Sequence, residues 1–367
     1  MKQIFDLAVI GGGIMGCGTA LRASEGGMNT IIIDQSDMGQ GASGVNAGTL
    51  SMQIKRVKLM PYAIKGHDMW QKMGQEVDFH KTGGYTLAFN DREADLLHDR
   101  MTMKKEAGAN ISFVSPAILQ EKEPSLAQKI VAASYCPDDG YANSSLTGQY
   151  YRKRITQLGI NYMENTKITQ INETSTGYEI LSGENRIQTK RILFACGGWL
   201  KEAVSLIGED IPVNARVNTV SVTERAPRLM NSVIGHATGL LTMKQKNNGT
   251  VLIGGGWQGI GKPSEGRGKV VMDSLIPNLQ LAKFAAPKLA KVRIVRSWTG
   301  FEANVPDFYP LAGKLGKRDN AFILGCVRGG YTIGPYISSL MGDYILGKEP
   351  EMPLFDPSRK FEQGKLI

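Results

Sequence analysis

Histidine and cysteine are both scarce in this chain, with four of each among 367 residues. The cysteines (Cys17, Cys136, Cys196 and Cys326) are scattered and form no CxxC pair. That pattern implies neither a disulfide framework nor a zinc or iron–sulfur site, so no metal is expected. Free thiols of this kind suit a reducing cytoplasm. No apolar run approaches the ~20 residues that span a bilayer. Met1 to Asp6 leads straight into a predicted strand, which leaves no room for a signal peptide. The expected location is therefore cytoplasmic, at most peripheral to the inner membrane. Dense basic runs are also missing. The densest, Arg152-Lys153-Arg154, falls on a predicted helix, so no nucleic-acid partner is implied.

What remains is an ordinary globular composition, 42% hydrophobic and 21% charged, which argues against extensive disorder. The formal charge of +9 reads either as a solvated basic surface or as steering for anionic substrates or an acidic partner. Glycine is plentiful at 44 residues, and many of the glycines cluster in short runs, as where backbone approaches a ligand closely.

Ile4 to Ile10 is a nearly continuous apolar run, the pattern of a buried parallel strand. A loop, Gly11-Gly12-Gly13, follows. A helix is predicted over 14–24 and a second strand over 29–34. Helices are also predicted near 58–77, 91–107, 144–158 and 334–346, with a polar, less regular stretch over 81–139. Short strands are expected at 167–171, 177–181 and 186–195, longer antiparallel ones over 213–255, and another strand at 321–325. This alternation predicts an α/β nucleotide domain in three pieces (1–80, 140–214 and 296–367) and a substrate domain from 81–139 and 215–295.

The first β-α-β unit carries Gly11, Gly13 and Gly16 in GxGxxG spacing directly after a strand. Asp34 closes the second strand, 34 − 11 = 23 positions beyond Gly11. Gly11 permits the tight turn, Gly13 admits a pyrophosphate to the helix N-terminus, and Gly16 lets helix and strand pack closely. Ile14 and Met15 begin that helix. Asp34, followed by Gln35 and Ser36, would accept hydrogen bonds from an adenosine ribose. Strand, loop, helix, strand and acid in register are a strong dinucleotide signal, but the motif leaves FAD and NAD both open.

Four further segments resemble the D-amino-acid oxidase, glycine oxidase and sarcosine oxidase family of FAD-dependent amine oxidoreductases. The stretch GASGVNAGTLSMQ (41–53) is similar to its second FAD segment, which implies that Ala42, Ser43, Asn46, Ala47, Gly48, Thr49 and Leu50 lie along the cofactor. ILGCVRGGYTIGP (323–335) resembles the C-terminal glycine step of glycine oxidase. Gly325, Arg328, Gly329, Gly330, Tyr331 and Thr332 are its matching positions. Physically, a glycine loop opening a helix offers N–H groups and a positive dipole end to a reduced flavin. ILFACGGWL (192–200) resembles the family's Ala-x-Gly-x-Trp strand end, placing Ala195, Cys196, Gly197 and Trp199 near the cofactor, with Ile168 toward the adenine. SWTGFEANVPDFYPLAG (297–313) matches the Pro-Asp-x-x-Pro-x-x-Gly stretch through Pro306, Asp307, Pro310 and Gly313. The resemblance implies a discontinuous Rossmann-like FAD-binding domain plus an α+β substrate domain with an antiparallel sheet.

Departures from the family bear on the substrate. Glu302 stands where glycine oxidase has a carboxylate-binding Arg, and an ionised Glu would favour a cation or else face solvent or an Arg. Thr242 aligns near the substrate-binding tyrosine. Arg328, Lys55 and Arg56 remain as basic candidates, and Gln53 and Tyr331 complete the catalytic set with Arg328, Glu302 and Lys55. Gly300 occupies the position of the covalent flavin cysteine of monomeric sarcosine oxidases, which implies non-covalent FAD. Cys326 reads as a small packed residue. Leu252 replaces the oxygen-activating lysine of sarcosine oxidase, favouring a dehydrogenase. Trp257 and Met243 line the pocket or pack in the core.

The resemblance leans toward the catalytic subunits of opine oxidase, hydrogen cyanide synthase and D-hydroxyproline dehydrogenase, which work in hetero-oligomers. It implies oxidation of the C–N bond of an amino acid or N-substituted amino acid by hydride transfer to flavin N5, giving an imine that hydrolyses. The small-molecule amine would be joined by a partner subunit that carries electrons onward. Alternatives are a non-catalytic FAD-binding subunit, a simple glycine or D-amino-acid oxidase using oxygen, and an NAD(P)-dependent dehydrogenase.

Overall fold

The computed structural model describes residues 4–325 and 328–363. Cys326, expected to be a small packed residue, lies outside the described residues. The fold is α/β, and its chain divides into two compact units: residues 1–45, 144–216 and 301–367, and residues 46–143 and 217–300.

The first unit is built on a six-stranded sheet. Strands 161–163, 30–33, 7–10, 192–194 and 321–325 are parallel, and the edge strand 311–314 is antiparallel. Leu7–Ile10 and Thr30–Ile33 are buried at every residue, as their unbroken apolar runs require of strands covered on both faces. The expected single strand Ile4–Ile10 is broken at Asp6. Ile4–Phe5 instead pairs with 185–189 in a second, four-stranded sheet. Asp6 accepts the Asn29 N–H at 3.0 Å and pairs with Lys190, so a polar corner separates the two pieces.

The helices Ile14–Glu25 and Gly330–Ile345 lie side by side and run parallel. A Cβ on Gly334 would meet Ile14, one on Gly18 would meet Ser338, and one on Gly342 would meet Arg22. The contacts thus advance together along both helices. Thr19 donates to Ser338 O at 3.1 Å, and Arg22 pairs with Asp343 at 2.8 Å farther along. The glycines let the backbones approach, and both N-termini face the same end.

An eight-stranded sheet, in the order 294–304, 214–225, 250–254, 242–245, 233–236, 84–88, 132–136, 112–114, lies in the second unit except for residues 301–304 and 214–216 of its first two strands. Tyr85, Leu87, Ala133, Ile234, Met243, Val251 and Ile253 form its apolar face, packed with residues of 116–122 and 272–289. The period-two alternation of strands puts Gly84, Thr86, Ser134, Gly235, Thr242, Lys244 and Leu252 on the other face.

Two expectations differ from this arrangement. The stretch 81–139 contains the strands Gly84–Ala88 and Ala132–Cys136, which pair over five residues each. Its polarity hid them because only one face of the sheet is apolar. Residues 46–80, expected in the nucleotide domain, belong to the second unit. Thr49 pairs with Tyr141, Ala142 N–H donates to Gly48 O at 2.9 Å, and Asn143 N–H donates to Val77 O at 2.8 Å.

Candidate active site

In the first unit the parallel strands end where the two helices begin, the usual ligand end of an open α/β sheet. Gly11 adopts φ +110°, and a Cβ there would lie 2.5 Å from Ala195 O, so only glycine fits the turn. A Cβ on Gly16 would lie 1.9 Å from Gly11 O, which forces the helix directly against the strand. Asp34 closes the loop from the side. Its Oδ2 accepts the Gly12 N–H at 2.6 Å, and its Oδ1 accepts the Ser36 N–H at 2.8 Å. Each oxygen keeps a further lone pair for a ribose hydroxyl. Burial raises the Asp34 pKa, with the Gly12 and Ser36 hydrogen bonds opposing. Ser43 Oγ accepts the Ile14 N–H at 2.9 Å, so this segment docks on the helix N-terminus.

The C-terminal glycine step brings a second helix start to the same end of the unit. Gly329 takes a left-handed conformation (φ 64°) as N-cap of Gly330–Ile345. The Glu302 carboxylate comes within 3.4 Å of the Gly329 N–H, so it sits at the positive end of this helix. Arg328 lies 5.9 Å from the Phe308 ring centroid. Tyr331 shares a 2.8 Å hydrogen bond with Thr147, and burial raises its phenol pKa. The Thr332 hydroxyl is fully buried and has no hydrogen-bond partner among the described residues.

Trp199 packs edge-to-face on Phe301 at 5.5 Å, Ile168 packs against the first unit's core, and Cys196 donates to Ile10 O at 3.1 Å. Burial raises the Cys196 thiol pKa, so it is a packed group rather than a nucleophile. The glycine cradle, the two adjacent helix N-termini, the bidentate acid and the orphaned Thr332 hydroxyl fit a dinucleotide such as FAD.

In the second unit, residues 49–53 cross the non-apolar face of the eight-stranded sheet. The Gln53 amide donates to Gly84 O at 2.7 Å and accepts from the Ser134 hydroxyl. Its amide therefore anchors the segment. Lys104 donates to Gln53 O, and burial pushes its ammonium down to about 8. Asp139 accepts the Ser51 hydroxyl at 2.5 Å and the Met52 N–H at 2.7 Å. Burial raises the Asp139 pKa despite these bonds. Lys55 is 4% exposed, and Asn46 Oδ1 accepts the Gly48 N–H at 2.6 Å. Gly300 closes this unit's second segment.

Sequence reasoning missed Asp139, Lys104 and Lys244. Asp139 sits in a Pro-Asp-Asp-Gly run that reads as a plain turn, whereas a lysine within the predicted antiparallel stretch 213–255 was the one available signal for Lys244.

A family model described as "FAD dependent oxidoreductase" matches residues 6–344. The chain belongs to this family. One subunit of the opine oxidase of Rhizobium meliloti is 24% identical over 376 residues, covering 97% of this chain and 98% of that protein. Glycine oxidase of Geobacillus kaustophilus is 23% identical over 380 residues, covering 100% of this chain and 99% of its own. The crystal structure of that glycine oxidase superposes with a TM-score of 0.89 at 21% identity, over 98% of this chain and 100% of the other. L-proline dehydrogenase from P. horikoshii superposes with a TM-score of 0.89 at 20% identity, over 97% and 98%. These superpositions share the fold. The protein is an FAD-dependent oxidoreductase whose coverage of these relatives is nearly end to end. Among its described residues, no helix is long and apolar enough to cross a membrane, and no His/Cys/Asp/Glu group could hold a metal.

Proposed function

We propose that this FAD-dependent oxidoreductase oxidises the carbon–nitrogen bond of an amino acid or N-substituted amino acid, in the secondary-amine, opine or proline-like class. The observation that carries the reading is the full-length likeness to the Rhizobium meliloti opine oxidase chain, together with the cradle of two parallel helix N-termini. FAD, held non-covalently, supplies the acceptor for a hydride from the carbon next to nitrogen. That hydride would carry both electrons away from the substrate, whose amine binds deprotonated so that its nitrogen lone pair forms C=N, and water then hydrolyses the imine to a carbonyl compound and the free amine.

The chain's own residues bind and orient. Gly11, Gly13, Ile14, Met15 and Gly16 receive the pyrophosphate, and Asp34, with Gln35 and Ser36 beside it, receives the adenosine ribose. Ala42, Ser43, Asn46, Ala47, Gly48, Thr49 and Leu50 run along the cofactor. Ile168, Ala195, Cys196, Gly197, Trp199, Gly300 and Gly325 complete its surroundings. Gly329, Gly330 and Thr332 present a helix start to developing negative charge.

Glu302 at that helix start favours a cationic arm of the substrate, away from the reacting nitrogen, over a bare carboxylate. Arg328 is the basic group for an anionic substrate arm, and Lys55, 4% exposed, adds positive charge from behind the surface that meets it. Gln53 and Tyr331, engaged within the protein, support rather than touch the substrate. Electrons pass onward to a partner protein or quinone, a preference that rests on Leu252 standing where sarcosine oxidase has its oxygen-activating lysine.

The test is anaerobic bleaching of the bound flavin by a panel of amino acids, N-methyl amino acids, proline derivatives and opines. Bleaching by one N-substituted class is expected. A yellow protein that no amine bleaches would instead be a non-catalytic flavin subunit.

A further inference from the structure

Side chains on the strand Thr242–Gln245 alternate between the two faces of the eight-stranded sheet. Met243 joins Ile234 and Ile253 in the apolar core, so Lys244 points to the opposite face, the one crossed by residues 49–53. A lysine can usually snorkel to water from a strand, yet Lys244 is 1% exposed. Its ammonium donates to Thr49 Oγ1 at 2.7 Å. Among the described residues no carboxylate lies within 4.0 Å of it, and the charge that acts on it, Lys246, has the same sign. Lys246 is itself paired with Asp78 at 3.6 Å. Leu252, directly opposite in the register, is apolar.

Holding an ammonium in such surroundings with one neutral acceptor is unfavourable, and burial pushes it down to about 7. A methionine or leucine would fill the site at less cost, so the packing of the sheet does not call for a lysine. An amine that is sealed from solvent also meets no substrate directly. Thr49 is only partly buried, and a hydroxyl oxygen that accepts from Lys244 keeps its own O–H to donate elsewhere.

We propose that Lys244 is a positioning residue that acts through the Thr49 hydroxyl, setting positive charge beneath the flavin-binding segment and so favouring the reduced, anionic state of FAD. The inference rests on the reading of Thr49 as a neighbour of the flavin. It goes beyond that reading by giving the segment a charge and the charge a source. A buried unit charge some ångströms away is sufficient for such an effect.

The measurement is the midpoint potential of bound FAD in wild type, Lys244→Met, Lys244→Arg and Thr49→Val, equilibrated against reference dyes without substrate at a pH below 7, where the Lys244 amine is protonated. Lys244→Met is expected to lower the potential by about 30 mV, the two-electron equivalent of an about tenfold loss in preference for reduced FAD. Lys244→Arg should restore most of the shift, and Thr49→Val should fall between wild type and Lys244→Met. A Lys244→Met protein that binds FAD at the wild-type potential overturns the proposal. Should that variant fail to fold, Thr49→Val, which leaves the lysine in place, decides in the same way: an unchanged potential overturns it. Wild-type protein that takes up no FAD overturns the flavin reading and this proposal with it, whereas equal potentials in FAD-loaded proteins overturn the proposal alone.

Discussion

Asp34 shows how much one side chain contributes to the nucleotide cradle. Its two oxygens hold the Gly12 and Ser36 N–H groups, so it shapes the loop, and in the proposed reading its remaining lone pairs receive the ribose. Asp34→Ala should weaken FAD binding by about tenfold to a hundredfold, the range of a lost hydrogen bond to a charged group. Flavin fluorescence titration measures this. Gln53 shows the opposite case. Its amide is occupied by Gly84 and Ser134, so Gln53→Leu should lower stability by about 1–3 kcal/mol, through buried partners left unpaired. Urea denaturation of the variant checks it.

Lys244 gives a pH dependence whose sign is fixed. Its folded pKa is depressed to about 7 from 10.5, so between those values the unfolded chain binds more protons than the native protein. Stability therefore rises with pH across that window, with an upper bound of about 5 kcal/mol. Lys246, and Asp78 paired with it, stay in place when Lys244 is replaced. Lys244→Met should therefore flatten this rise in denaturation midpoints collected from pH 7 to 10.

At the scale of elements, the parallel pair Ile14–Glu25 and Gly330–Ile345 is the device that gathers two helix N-termini at one end of a sheet. Backbone proximity makes it sensitive to single carbons. Gly16→Ala puts a Cβ 1.9 Å from Gly11 O, so helix and loop must separate. The expected result is a loss of about 1–3 kcal/mol of stability, as for other overpacked core sites, with FAD retention falling alongside it. Thermal unfolding and the flavin-to-protein absorbance ratio of purified protein test both halves. The β-α-β unit was legible because strand, glycine loop, helix and acid are contiguous in the chain. The helix near 334 was also visible, but its start at Gly330 and its parallel partner were not, since the pairing joins residues about 320 positions apart. The strands at 84–88 and 132–136 were hidden for a different reason. One of their faces carries Gly84, Thr86, Ser134 and Cys136, which blurs the apolar signal.

At the scale of the whole molecule, three chain segments build the first unit and two build the second, so the chain enters each more than once. The cofactor should then act as a stabilising ligand. Saturation at a hundred times Kd is expected to add about 2.7 kcal/mol, which raises Tm by a few degrees for a protein of this size. Thermal scans with and without added FAD read this directly, and an unchanged Tm would count against the cradle.

By itself the sequence determined the fold class, the nucleotide cradle and the family, because these depend on short contiguous motifs with fixed spacing and on local hydrophobic period. Only the tertiary structure decided that Glu302 lies at a helix start, that Gln53 is an anchor, and that Lys244 is a buried cation beneath Thr49. Each of those depends on partners far away in the chain, and such partners are not encoded in any local stretch.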